Sequence, residues 1–181
     1  MVYVLLAKGF EEIEALAPVD LLRRVDVEVA MVSLNDDLMV QGGHDIYVKA
    51  DITFEQVDFD LMEMLVIPGG LGGVSTIAEH PVAMDLILKT WKAEKKLAAI
   101  CAAPKLLAQL GILKGMSVVC HPSVNNEIMN AGGRLLHNKQ ATCDRNLITG
   151  KAAGSSIEFA LELVSTMRDR ETSDKLRAAI V

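Results

Sequence analysis

The chain has 181 residues, 51% of them hydrophobic but only 4% aromatic, with a net charge of −6 and a pI near 5.2. That length suits one domain, expected over residues 1–181, with a core built from Leu, Ile, Val, Ala and Met. No basic block stands out, which argues against nucleic acid as a partner, and no apolar run reaches membrane-spanning length.

The chain begins with an apolar run, Val2 to Ala7, that reads as a central strand. It runs straight into Lys8 and three glutamates and is too short for a secretory leader. Glu11 to Arg24 has apolar residues at Ile13, Leu16, Ala17 and Leu21 and acid at its start, as a helix prefers. Pro18 lies inside that pattern and predicts a kink or an early stop. Val25 to Ser33 reads as a second strand, Asn35-Asp36-Asp37 as a turn, and Asp45 to Val48 as part of a small antiparallel excursion. Met64 to Ile67 is a buried strand ending in Pro68-Gly69-Gly70-Leu71-Gly72-Gly73. Val82 to Lys95 is helical, and Leu97 to Ile100 is the strand before Cys101. Lys105 to Leu110 continues the next helix, which Gly111 closes. Ser117 to Cys120 is a strand, Ser123 to Met129 a helix ended by Gly132-Gly133, and Asn146 to Thr149 a strand. Ser155 to Met167 and Thr172 to Ile180 are the last helices. Strands alternating with helices predict an α/β domain with a mostly parallel sheet covered on both faces.

In such a fold ligands sit beyond the carboxyl ends of the strands. Gly9 with Glu11-Glu12-Glu14, Gly69-Gly70, Cys101 and His121 all fall there. Cys101 ends a strand just before Pro104, whose fixed φ suits the first turn of a helix. A helix N-terminus favours thiolate, the reactive form of cysteine. Two readings stand side by side: a reactive thiol at a sharp turn, and a buried core cysteine. On the first, the Gly70 and Ala102 N–H groups form an oxyanion hole. Glu11 and Glu12 read as a solvated, dipole-favoured face. Glu14 shares a side with Ala17, Pro18 and Leu21 and is expected to point inward, where a carboxyl near a thiolate stays protonated and donates to sulfur. His121 is a candidate acid or base for Cys101, and equally a structural His before Pro122. Cys120 ranks below Cys101, because no helix begins there. The glycine run is neither GxGxxG nor followed by Gly-Lys-Ser/Thr, so a nucleotide phosphate site is poorly supported. His44, His80 and His137 lack zinc-ligand spacing. No metal and no cofactor is implied. Cys101, Cys120 and Cys143 lack CxxC spacing, and an odd count points to a reducing, cytoplasmic setting.

Ala7-Lys8-Gly9-Phe10-Glu11-Glu12-Ile13-Glu14, Ile67-Pro68-Gly69-Gly70, Ala98-Ala99-Ile100-Cys101-Ala102-Ala103-Pro104 and Cys120-His121-Pro122 occur in this order. Together with Gly154-Ser155-Ser156-Ile157-Glu158-Phe159-Ala160-Leu161, they resemble the ThiJ/PfpI superfamily, specifically its DJ-one branch, over nearly the whole chain. The resemblance implies a flavodoxin-like, three-layer α/β/α sandwich and a homodimer. It implies that Cys101 is the nucleophile at the elbow, Glu14 its protonated partner and His121 a nearby histidine. It implies a cysteine-dependent enzyme acting on small carbonyls in oxidative and carbonyl stress. That enzyme would be a cofactor-independent glyoxalase converting methylglyoxal to lactate, or a deglycase. The alternative is a redox-sensing stress protein or chaperone whose cysteine is oxidised to sulfinate. A protease or amidase is disfavoured, because PfpI-like proteases carry His directly after the nucleophile, where this chain has Ala102. Two further departures bear on the pocket. His44 stands where the branch often has arginine, and Lys151-Ala152-Ala153-Gly154 where it often has Arg-Gly-Pro-Gly or Gln-Gly-Pro-Gly.

Overall fold

The structure, a computed structural model, describes residues 1–180. Its strands are β1 Val2–Leu6, β2 Val29–Ser33, β3 Met39–Gln41, β4 Tyr47–Lys49, β5 Ile52–Thr53, β6 Met64–Ile67, β7 Lys96–Ile100, β8 Ser117–Val118, β9 Arg134–Leu135, β10 Ala141–Asp144 and β11 Leu147–Gly150. Its helices are α1 Glu12–Arg23, α2 Leu71–Ala78, α3 Pro81–Lys92, α4 Pro104–Gln109, α5 Asn125–Asn130, α6 Ser156–Met167 and α7 Arg170–Ala179. Seven strands form one sheet in the order β10-β11-β7-β6-β1-β2-β5, parallel except for β10. This is the mostly parallel α/β sandwich expected.

Alternation along the strands builds the three layers. Successive side chains point to opposite faces, so Tyr3, Leu5, Leu65, Ile67, Leu97 and Ala99 pack with Val74, Ile77, Ile87, Leu106 and Leu107 from α2, α3 and α4. Val2, Val4, Leu6, Met64, Val66, Ala98 and Ile100 face the other way, onto Ala15, Val19, Leu22, Phe159, Leu163 and Val164 from α1 and α6. Both faces are covered, which is why β1 and β6 read as continuous apolar runs rather than alternating ones.

β1 lies inside the sheet, next to the central β6, with β2 on its other side. The chain builds outward from β1 to β2 and β5, then returns to its other flank for β6, β7 and β11. The strand order therefore reverses beside β1, and the crevice at the carboxyl ends there is where such sheets bind ligands.

Several boundaries differ from expectation. α1 does not stop at Pro18 but runs to Arg23. Pro18 cannot donate to the Glu14 carbonyl, yet Ala15, Val19, Leu21 and Leu22 are buried around it, and that packing outweighs one lost bond. β2 begins at Val29 rather than Val25, because the chain turns at Asp26 with φ 56°. Helix α2 begins immediately after Gly70, inside the segment that reads as a glycine turn. The two-residue β5 and the antiparallel β10 carry little hydrophobic signal, being edge strands. No described helix is long and apolar enough to cross a membrane.

Candidate active site

Three loops meet at the carboxyl end of the sheet, and they interlock backbone to backbone. The Glu11 N–H donates to the Gly69 carbonyl at 3.0 Å, and the Gly73 N–H donates to the Gly9 carbonyl at 2.9 Å. Gly70 has φ +88°, and a Cβ there would lie 2.4 Å from the Gly9 oxygen, so only glycine fits.

Cys101 follows β7 directly and takes φ +65°, a left-handed conformation that residues with a Cβ avoid. Its surroundings hold it there. Its N–H donates to the Gly150 carbonyl at 3.0 Å, the Ala103 N–H donates to Ile100 at 3.0 Å, and its own carbonyl accepts the His121 N–H at 2.8 Å. The sharp turn predicted at this joint is present.

Glu14, on the first turn of α1, is completely buried, as its helical side suggested. Its Oε2 accepts the Gly69 N–H at 2.8 Å. Its Oε1 is buried with no hydrogen-bond partner of good geometry, and the Cys101 thiol lies within interaction range of the carboxyl. An ionised oxygen left alone in such a place is costly, whereas a protonated one can aim its O–H at sulfur. Burial accordingly pushes the Glu14 carboxyl up from 4.5 to about 7. Hydrogen bonds from Cys101 and Gly69 pull it down, and the charge of Glu11 raises it.

The thiol does not follow the helix-terminus argument. Burial pushes Cys101 up to about 12, and the adjacent Glu14 carboxylate adds to the rise. The Ala102 and Gly70 N–H groups, the expected oxyanion donors, reach the sulfur and pull the other way. α4 starts only at Pro104 and is one and a half turns long, so desolvation outweighs it. Cys101 and Glu14 are thus two acids competing for one proton, and thiolate exists where that proton sits on Glu14.

His121 joins the same site. Thr149, fully buried, accepts the Val119 N–H through Oγ1 at 2.9 Å and fixes the segment that carries it. The His121 ring Nδ1 accepts the Ser123 N–H at 3.2 Å, with Ser123 Oγ 2.8 Å away. An accepting Nδ1 leaves the proton of the neutral ring on Nε2.

These residues line a cavity of about 370 Å³ with Glu11, Leu71, Ser123, Ala152 and Ala153. All five expected site residues, Cys101, Glu14, His121, Gly70 and Ala102, contribute to it. Nothing in the sequence marks Gly69 as partner of Glu14, Ser123 as partner of His121, or Leu71 as part of the rim. Glu14 and Gly69 lie 55 positions apart, so no local pattern reveals their bond. Of the Lys151-Ala152-Ala153 wall, Ala152 and Ala153 face this cavity, while Lys151 lines another with Cys120 and His137.

The expectation for Glu11 and Glu12 is corrected. Glu12 is only 6% exposed and binds the β3–β4 loop, accepting the His44 N–H at 2.7 Å and facing His44 Nδ1 at 2.8 Å. Burial raises the Glu12 carboxyl, but the bonds from His44 outweigh it and hold it below the ordinary range. Glu11, Glu12 and His44 offer ligand atoms within 4.8 Å of one another. Sequence spacing hides this grouping, although the His44 ring nitrogen nearest the carboxylates already serves Glu12. Cys101, Cys120 and Cys143 are free thiols, partly exposed, buried and exposed respectively.

The DJ-1/PfpI family pattern matches residues 1–166. The chain belongs to the DJ-1/PfpI family. It is similar to protein dj-1beta of Drosophila melanogaster, 34% identical over 168 residues, 93% of this chain and 89% of that one. It is 31% identical to the glutathione-independent glyoxalase DJR-1.2 of Caenorhabditis elegans, covering 92% of this chain and 87% of that one. It is 27% identical to the deglycase TK1284 of Thermococcus kodakarensis, covering 92% and 99%. Among solved structures, Drosophila DJ-1beta superposes with a TM-score of 0.93 at 32% identity, over 99% of this chain and 96% of that one. Oxidized Toxoplasma gondii DJ-1 superposes with a TM-score of 0.91 at 28% identity, over 99% and 96%. The family assignment and the DJ-1 fold agree with the resemblance seen in the sequence.

Proposed function

We propose that this chain is a cysteine-dependent enzyme acting on small reactive carbonyls, of the cofactor-independent glyoxalase or deglycase type. One observation carries the reading: a buried carboxyl oxygen of Glu14 with no other partner lies beside the Cys101 thiol on the floor of a small cavity. The names of the glyoxalase and deglycase relatives support the substrate class.

For methylglyoxal the steps follow from the residues. Cys101, its proton moved to Glu14, adds to the aldehyde carbon and forms a hemithioacetal. The Gly70 and Ala102 N–H groups receive the oxygen as its charge develops. Glu14, after passing the Cys101 proton to the oxygen, or His121 removes the hydrogen of that carbon as a proton and returns one to the neighbouring carbon. The outcome is a thioester of lactate on Cys101. Water cleaves the C–S bond, releasing lactate and restoring the thiol. One water is consumed, and oxidation of one carbon balances reduction of the other, so no external redox partner is needed.

The deciding experiment measures lactate formed from methylglyoxal without glutathione by the wild type, Cys101→Ser and Glu14→Gln. Turnover lost in the Cys101 variant and strongly reduced in the Glu14 variant is expected. Full activity in either removes that residue from the mechanism.

A redox-sensing role is the second reading, supported by the partly exposed Cys101 and the similarity to an oxidized DJ-1 structure. A sulfinate at Cys101 would meet the same N–H donors and a protonated Glu14. Limited peroxide followed by intact mass tests it: two oxygens on Cys101, with Cys120 and Cys143 reduced, is the expected pattern. We also assign the chain to the cytoplasm, as one domain acting as a homodimer. Ile13 and Leu16 on α1 and Met39 and Tyr47 on the β3–β4 hairpin are exposed apolar side chains suited to a second copy. Light scattering reads that state directly.

A further inference from the structure

Glu11 occupies a position in the site without an evident structural task. It precedes α1, yet its side chain makes no cap bond. Its carboxylate has one ion-pair partner among the described residues, His44 Nδ1 at 3.6 Å, and its side chain is 21% exposed. It lines the cavity above Cys101 and also an adjoining outer cavity of about 510 Å³, with Gly70 and Leu71 as the other shared walls. Its charge is felt inward at Glu14 and outward at His44.

No Lys or Arg lines the inner cavity. Lys8 and His44 line the outer cavity and not the inner one. The chain as a whole carries −6. The Gly70 and Ala102 N–H groups can receive an oxyanion that develops in place, but they bring no full countercharge for a substrate that arrives charged. An uncharged electrophile passes Glu11 freely. An anion must pass a carboxylate in a half-buried setting, where repulsion is less screened than in bulk water.

We propose that Glu11 determines the charge specificity of this pocket, admitting uncharged electrophilic carbonyls to Cys101 and turning away those that bear a carboxylate or phosphate. This rests on the carbonyl reading of the site, and its test is separable from that reading. Iodoacetamide and iodoacetate alkylate a thiol by the same step, in which an S–C bond forms and iodide leaves, but only iodoacetate is anionic. The ratio of their rates at Cys101, read by site-resolved mass spectrometry, cancels any change in the thiol itself. Glu11→Gln is expected to lower the iodoacetamide-to-iodoacetate ratio about fivefold or more. Glu79→Gln, which removes an exposed carboxylate at the far end of α2, is expected to leave it unchanged. In the wild type, added salt is expected to speed iodoacetate at Cys101 more than iodoacetamide, a readout that requires no variant. An unchanged ratio in Glu11→Gln, or equal salt effects on both reagents, overturns the proposal. In turnover, kcat/KM for 4-carboxyphenylglyoxal, an α-ketoaldehyde that carries a carboxylate, relative to uncharged phenylglyoxal should rise in Glu11→Gln. If the wild type turns over neither compound, the carbonyl reading falls, while the alkylation ratio still decides the role of Glu11.

Discussion

Replacing Glu14 by Gln should make the protein more stable at alkaline pH while removing most of its activity. The carboxyl is raised from 4.5 to about 7, chiefly by burial. Between those values the native state holds a proton that the unfolded chain has lost, so stability falls as pH rises through the window and stays lost above it. A rise of that size corresponds to about 3 kcal/mol at roughly 1.4 kcal/mol per pH unit, taken as a ceiling. Sharing of the proton with Cys101 and local relaxation bring the expected gain to about 1–2 kcal/mol. Gln keeps an oxygen for the Gly69 N–H and places N–H donors where Oε1 lacks a partner. The assay is urea unfolding of both proteins at pH 5 and pH 8.5. The midpoints should nearly coincide at the lower pH and separate by about 0.5–1 M at the higher, for a slope of about 2 kcal/mol per M. Parallel midpoints at both values would mean that Glu14 ionises as easily in the fold as outside it, and the shared-proton argument would fail.

Gly69→Ala would place a Cβ 2.4 Å from Glu14 Oε2 and 2.6 Å from Cys101 Cβ, so lactate formation should drop at least tenfold, with a cost in stability of about 1–3 kcal/mol. Phe159→Ala empties a fully buried site under β11 and should cost about 3–5 kcal/mol in urea unfolding. Lys95→Met removes an ammonium that donates to the Phe59 carbonyl at 2.8 Å and the Met62 carbonyl at 2.6 Å, and should lower stability by about 1–3 kcal/mol.

The sheet was legible wherever burial was two-sided. β1, β6 and β7 from Leu97 onward are unbroken apolar runs; β6 has the expected ends, and β1 and β7 each differ by one residue at one end. Local rules misled where contacts from afar decided the outcome. Pro18 sits within α1 because the sheet and α6 hold that helix together. Helix α2 emerges from a glycine-rich stretch because its glycines pack on Gly9 and Phe10 across the loop. Of the site, Cys101, Glu14, Gly70, Ala102 and His121 were all nameable from strand ends and helical phase. The sequence also points to a protonated Glu14, but not to the balance of the proton between it and Cys101. That balance depends on how deeply two acids are buried and on an N–H contributed 55 residues away, quantities that no pattern of spacing contains. The burial of Glu12 is hidden for the same reason, since its partner His44 arrives from a separate hairpin.

The left-handed backbone at Cys101 has a further consequence. Any side chain there bears a conformational penalty of roughly 1–2 kcal/mol that glycine escapes. Cys101→Gly should therefore unfold at a higher temperature than Cys101→Ala, provided the cavity left by the sulfur is small. The two knockouts are not interchangeable controls, because one removes a thiol and the other also releases a spring. From the standpoint of folding alone, drift from cysteine to glycine at this position runs downhill. The sulfur stays against that slope only as long as its chemistry is used.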